Sequence, residues 1–257
     1  MVFGDYHTHS IYSDSKITME ESVNQAINIG LKQLAITDHA FNHCHGINKK
    51  DFFKIKEEMD KLKEKYKDKI ELFFGLEANF ISIDGKYDIS DEIYDNLDIV
   101  VLGYHKSFKP KTLKNIFGFY LPNVFNKFRL SKKQVEKNTQ AYIKAISTNK
   151  IDILSHLNYA GCFVDAVKVA ECAKKYNTYI ELSSKHMELT PKEICAMVKT
   201  GVKFVLSSDG HTLNRIGDNH VGVGLMEKYN IPEDQIANWN KVPLFKKINN
   251  KKTTQGK

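Results

Sequence analysis

Several things are scarce in this chain, and each scarcity narrows the reading. The four cysteines, Cys44, Cys162, Cys172 and Cys195, stand far apart with no CxxC pair. That argues against a zinc ribbon or a disulfide framework and for reduced thiols in a cytoplasmic protein. No apolar run approaches the ~18 residues of a membrane span, and no basic stretch followed by an apolar one opens the sequence, so no membrane partner is expected. Arginine is confined to Arg129 and Arg215. Acidic residues are missing from two stretches: 106–133 carries eight Lys or Arg, and 241–257 carries six Lys. The remaining residues hold 24 basic and 31 acidic side chains, so the formal charge of +7 describes an acidic body with two basic appendages. The overall charge alone therefore does not point to nucleic acid.

What is present is an alternation of apolar, β-branched runs with amphipathic stretches. Strands are predicted at 3–8, 33–37, 70–77, 98–104, 151–155, 179–183 and 202–207. Between them, Thr18 and Glu21 form a capping box, and Phe52, Ile55, Met59, Leu62 and Tyr66 line one face of a helix. Ser131 and Gln134 open another helix, and Thr190-Pro191 with Glu193 begins one that stops at Gly201. Strands too apolar to face water, alternating with helices, predict an α/β fold with a parallel sheet closed or nearly closed into a seven-stranded barrel. One domain is expected over 1–240, interrupted by the basic, aromatic insert at 106–133. A basic tail follows at 241–257, disordered from 249 onward.

Six of the seven predicted strands end in a group that can bind a metal. The first gives His7, His9 and then Asp14; the others give His39, Glu77, His105, His156, and Asp209 with His211. Strand ends of one polarity converge on one face of such a barrel, where its active site lies. A lone histidine is more often an ordinary hydrogen-bonded residue. Here six of ten histidines fall at or just past a strand end, while His43, His45, His186 and His220 lie in predicted loops. Alternate strand residues share a side, so His7 and His9 can grip one ion.

These residues carry a family resemblance. HTHSIYSD at 7–14, AITDHA at 35–40, GLEANFISIDGKYD at 75–88, GYH at 103–105, NTQAYI at 138–143, ILSHLNY at 153–159 and SSDGH at 207–211 together resemble a PHP domain, of the polymerase and histidinol phosphatase superfamily. The likeness is to its small stand-alone phosphatases, and it spans about four fifths of the chain. It implies a distorted (βα)7 TIM-like barrel and three divalent metal ions, zinc, manganese or iron. His7, His9, Glu77 and Asp209 would hold the first, Glu77 with His105 and His156 the second, and Asp14, His39 and His211 the third. Glu77 and Asp209 would be the carboxylates at the reacting centre. The HTHSIYSD segment resembles the generic pattern more than that of the biosynthetic histidinol phosphatase.

Adjacent cations can supply hydroxide near neutral pH and stabilise a leaving oxygen, which suits hydrolysis of a small phosphomonoester by a metal-bridging hydroxide. Arg215 and Lys185 are candidates to bind substrate, and His186 to act as general acid. The insert reads as a lid or rim, as a homo-oligomer contact, or as a nucleic-acid-binding segment. The alternatives kept open are a phosphoesterase for nucleotides or nucleic-acid ends, against which the lack of an appended polymerase segment argues only in part, and an inactive metal-stabilised domain. Asp14 stands where some relatives of this type have an imidazole, and carboxylate is the harder donor. Asp14→His should therefore shift activation from manganese towards zinc; an unchanged manganese-to-zinc activity ratio counts against Asp14 as a ligand.

Overall fold

The computed structural model describes residues 1–108, 110, 112–125 and 131–247. Seven parallel strands lie in sequence order: β1 (Gly4–Asp5), β2 (Gln33–Ile36), β3 (Glu71–Asn79), β4 (Ile99–Gly103), β5 (Ile153–Leu154), β6 (Tyr179–Ser183) and β7 (Phe204–Ser207). Nine helices follow or flank them among the described residues: α1 (Met19–Asn28), α2 (Phe52–Tyr66), α3 (Asp91–Tyr94), α4 (Leu113–Asn115), α5 (Leu121–Val124), α6 (Lys132–Thr148), α7 (Ala166–Lys175), α8 (Pro191–Thr200) and α9 (His220–Lys228). The predicted caps form as expected. Thr18 with Glu21 and Thr190 with Glu193 make reciprocal capping boxes, and Gly201 closes α8 in the left-handed conformation at φ 75°. Phe52, Ile55, Met59, Leu62 and Tyr66 are the buried face of α2.

Most strands are shorter than their sequence patterns predict, and two shrink to a pair of residues. β5 shrinks to two residues, and β1 keeps two before the chain turns irregular through His7 and His9. The barrel closes all the same. At the site end, Thr8 bridges Gly210, and the His9 amide donates to the Gly210 carbonyl at 2.9 Å. At the other end a wedge enters the seam. Ala237 donates to the Phe204 carbonyl at 2.7 Å, and Phe3 donates to the Asn238 carbonyl at 2.8 Å. The fully buried Asn238 amide donates to the Gly4 and Leu206 carbonyls at 2.9 and 2.8 Å and accepts from the Leu206 amide at 3.0 Å. One side chain thus stands in for a missing ladder.

Inward-facing residues alternate along the strands, Phe73, Gly75 and Glu77 on β3 for example. The lower interior is apolar: Tyr6, Phe73, Ile99, Ile153, Tyr179 and Val205 pack around Phe245. Residues 241–247 are therefore part of the barrel floor and not an appendage; the predicted disorder from 249 onward falls outside the described residues. The larger core lies between strands and helices.

Of the insert, residues 109, 111 and 126–130 lie outside the description. The rest is helical and packed. Phe119 is fully buried against Phe80 and Tyr104, with ring centroids 5.1 and 5.4 Å away, and Asn123 exchanges two hydrogen bonds with Asn138 of α6. Leu113, Phe117 and Phe125 stay exposed. No helix among the described residues is long and apolar enough to cross a membrane.

Asn238→Ala strips three buried hydrogen bonds from the seam and should cost about 2–4 kcal/mol, since each unsatisfied buried group costs ~1–3 kcal/mol. Urea unfolding measures this, and a loss below half a kcal/mol, roughly the scale of a surface substitution, would show that the seam closes without Asn238.

Candidate metal centre

Glu77 ends up at the centre of the barrel mouth because β3 is long enough to carry an inward carboxylate to its C-terminal end. Its Oε1 lies 2.9 Å from His156 Nε2 and 3.3 Å from His105 Nε2; its Oε2 lies 2.9 Å from His39 Nδ1, 3.3 Å from His7 Nε2 and 3.7 Å from His9 Nε2. Room for that carboxylate comes from Gly103 on β4. A Cβ there would sit 2.5 Å from Glu77 Oε1 and 2.6 Å from Ser155 Oγ. Asp209 Oδ1 is 3.3 Å from His9 Nε2 and 3.4 Å from His211 Nδ1. Asp14 joins His211 at 3.1 Å and His39 at 3.4 Å. All nine strand-end residues meet in one cluster.

Within it the donor atoms fall into close groups: His7, His9 and Asp209; Glu77, His105 and His156; and His9, Asp14, His39 and His211. A further group, His39, His43 and His105, was not anticipated. His43 stacks on His39 with ring centroids 3.9 Å apart and bonds Ser107 Oγ through Nε2.

A set of carboxylates that the sequence pattern does not single out holds these groups in place. Glu181, buried on β6, accepts from His7 Nδ1 at 2.7 Å and from the His156 amide at 3.0 Å. It turns the His7 Nε2 towards Glu77, and it pins the chain where His156 adopts φ 26°. That left-handed backbone, repeated at Asp209 with φ 51°, stores about 1–3 kcal/mol at each residue and needs such anchoring. Asp88 bonds Asn79 Nδ2 at 2.7 Å, and Asn79 Oδ1 meets His105 Nδ1 at 3.2 Å. Asp38 accepts from the Ser10 amide at 2.7 Å and from the Ser10 and Ser13 hydroxyls at 2.5 Å, fixing the loop that carries Asp14. Histidine–carboxylate relays of this kind set the ring orientation at metal sites.

The electrostatics show what the cluster demands. Burial alone would raise the Glu77 carboxyl, but His105, His7 and His39 outweigh it and hold Glu77 well below its usual range. Burial is likewise overcome at Asp209, chiefly by His7 and His9. The converse appears on the imidazoles. Burial opposes charge on His39, yet Glu77 and Asp14 push it up to about 10, and Glu181 and Glu77 carry His7 well above its ordinary value. Burial wins at His105, which drops to about 4. Buried negative charge here recruits whatever positive charge it can find, and divalent cations answer the same need.

Hydrogen bonding supports the same conclusion. His156 Nδ1 is buried without a hydrogen-bond partner, Glu77 Oε2 and His39 Nδ1 approach to 2.9 Å without the alignment of a hydrogen bond, and His7 Nε2 faces His9 Nε2 at 3.2 Å. Imidazole nitrogens and carboxylate oxygens in this ratio suit zinc, manganese or iron.

Above the cluster a cavity of about 270 Å³ is lined by Lys106, Ser107, Tyr159, Lys185 and His186 together with Asp14 and Asp209. Lys185 reaches Asp209 Oδ1 at 3.3 Å and His211 Nδ1 at 3.1 Å. His186 packs on Tyr159 with centroids 4.1 Å apart. Arg215 does not join them. Its guanidinium donates to the Ser184 carbonyl at 2.8 Å and pairs with Asp218 at 2.6 Å, away from the cavity lining.

Glu181→Gln should leave the fold intact and lower metal affinity about 10–100-fold, the usual effect of removing a carboxylate behind a ligating histidine. Competition against a fluorescent chelator measures it, and unchanged affinity would detach Glu181 from the centre.

Comparison with known proteins agrees with this geometry. A protein of Caldanaerobacter subterraneus named as a probable phosphatase is 28% identical over 244 residues, covering 91% of this chain and 86% of its own. The structure is similar to that of histidinol phosphate phosphatase from Lactococcus lactis, solved with zinc, L-histidinol and phosphate, at a TM-score of 0.61 and 19% identity over 92% of this chain and 96% of that one. It is also similar, at a TM-score of 0.51 and 11% identity over 94% and 96%, to metal-dependent tyrosine phosphatases described from Bacillus subtilis and Streptococcus pneumoniae. The family profile of the PHP domain matches residues 5–192, nearly every piece of the cluster but Asp209 and His211 included, and the chain belongs to the PHP domain family.

Proposed function

We propose that this protein is a metal-dependent phosphoesterase that hydrolyses a small phosphomonoester. The observation that carries the reading is the convergence of four groups of potential metal donors about Glu77 beneath a cavity of about 270 Å³, just under the size of most small-molecule sites. Family membership and the likeness to a probable phosphatase support the same chemistry. A polynucleotide finds little room in so small a cavity.

Three divalent ions are proposed, held by His7, His9, Glu77 and Asp209, by Glu77, His105 and His156, and by Asp14, His39 and His211. Bound there, such ions acidify water and neutralise charge on a phosphoryl group. The protein's own part is to orient and to exclude. Lys185 and Lys106 bring positive charge to the rim and draw in an anion. Lys185, beside Asp209, is placed to take a phosphoryl oxygen. His186 has a different part from the general acid expected of it. Burial, with His156 and Lys185 nearby, pushes it down to about 4, so at pH 7 it is a neutral imidazole suited to hydrogen-bonding the ester. Tyr159 supports its ring. The four free cysteines, two of them exposed, fit a reducing, cytoplasmic setting.

Protein made in metal-replete medium should hold three ions per chain by elemental analysis and should turn over part of a panel of sugar, amino-alcohol and nucleotide monophosphates with zinc, manganese or iron. Glu77→Gln should lower that turnover more than about 100-fold with the circular dichroism unchanged, because an amide bridges cations poorly. One ion or none per chain, or turnover in Glu77→Gln near that of the parent, overturns the reading.

A further inference from the structure

A second cavity, of about 750 Å³, opens at the far end of the barrel from the metal-type cluster. It lies where helices end and strands begin. Lys150 follows α6, Lys174 is in the last turn of α7, Lys203 precedes β7, and Lys246 follows the floor residue Phe245. Among the described residues no Asp or Glu lines it.

The four lysines are not held in ion pairs. Lys174 donates to the Thr200 carbonyl at 2.7 Å and Lys246 to Thr178 Oγ1 at 2.8 Å, both neutral oxygens. The Lys150 ammonium lies 4.6 Å from the centre of the Tyr94 ring. Lys203 is exposed, and its ammonium makes no hydrogen bond or ion pair among the described residues.

Lysines commonly sit at helix C-termini, where they offset the carbonyl ends. Each helix end supplies only about half a negative charge, so α6, α7 and α8 together leave most of the four positive charges uncompensated. The Asp152 carboxylate, buried behind the wall, accepts the Lys246 and Val100 amides at 2.8 and 3.0 Å and offsets one more. The cavity remains net positive on a body that, outside its two basic stretches, is net acidic. Like charges gathered in a concave site repel one another until an anion enters.

Besides the lysines and the neutral polar Asn177 and Thr178, the wall is apolar or aromatic, with Tyr94, Tyr176 and Leu244 contributing. The volume is that of an ordinary small-molecule site. From this charge, shape and lining we infer that the basal cavity binds a small organic polyphosphate of nucleoside-diphosphate size. Its phosphates face Lys150 and Lys203, and its organic body rests on the tyrosine-lined wall. This site is separate from the proposed active site and does not depend on the identity of the substrate there.

The test is calorimetric titration of the holoprotein with ADP, alongside Glu77→Gln and the double variant Lys150→Gln/Lys203→Gln. Binding should be equal in the parent and Glu77→Gln, at least about tenfold weaker in the double variant, and retained in Lys203→Arg, because each lost charge contact costs of the order of 1 kcal/mol or more. Hydrolysis of 4-nitrophenyl phosphate should be the same in the parent and the double variant. ADP affinity that survives the double substitution, that disappears with Glu77→Gln, or that is absent at about 1 mM overturns the inference. Pyrophosphate binding as tightly as ADP overturns the part assigned to the organic body.

Discussion

One carboxylate organises this molecule. Glu77 is buried at the end of β3 with five imidazoles around its two oxygens, and nothing in an apolar interior would pay for that charge unless positive partners were built to meet it. Much of the local structure answers that requirement. Gly103 keeps β4 clear of it, Ser155 donates to it, and His156 and Asp209 accept unfavourable backbone angles so that their side chains can reach the cluster. The barrel floor of Tyr6, Phe73 and Phe245 excludes water from below. The cavity above, lined by Asp14, His39, His105, His156 and Asp209, gives a reactant access to the cluster.

Most of the nine residues of the cluster were legible in the sequence because they stand at or just past the end of an apolar run, while Asp14, five positions beyond His9, was legible through the HTHSIYSD motif. Their supports were not. His7 and Glu181 are 174 positions apart, Ser10 and Asp38 are 28 apart, and Asn79 and His105 are 26 apart, so no local pattern links the pairs. Glu181 did leave a trace. It is an acid at an inward position of an otherwise apolar strand, YIELS, and a buried charge needs a partner. Arg215 shows the opposite difficulty. Four positions past His211 it looked aimed at the site, but the 3-10 turn at Leu213–Arg215 directs its guanidinium to Asp218 and the Ser184 carbonyl instead.

The strand count was legible for the same reason as the cluster, and the strand lengths were not. Apolar runs mark which segments enter the sheet. They do not say how many residues pair, which depends on neighbours far along the chain. Beside β1, on the side away from β2, the place of a paired strand is taken by the wedge at residues 236–239, and a wedge of mostly irregular backbone has no periodic signature. The insert shows the same limit. Its lysines read as charge available for a ligand, whereas Phe119 docks it on Phe80 and Tyr104 and Asn123 ties it to α6.

That wedge also bears on how the protein comes to exist in a cell. Phe3 and Gly4 pair with Asn238, and Phe245 fills the space beneath Tyr6 and Phe73. β1 therefore has no permanent neighbour on one side until residues 236–239 have been made. At about 5–20 residues per second, the growing chain spends ten seconds or more with an open sheet edge and an unplugged, aromatic interior. Contacts of such long sequence separation are slow to form even afterwards. A chain of this design keeps an unpaired sheet edge, the kind of edge that invites aggregation, until residues 236–245 arrive to join β1 and β7.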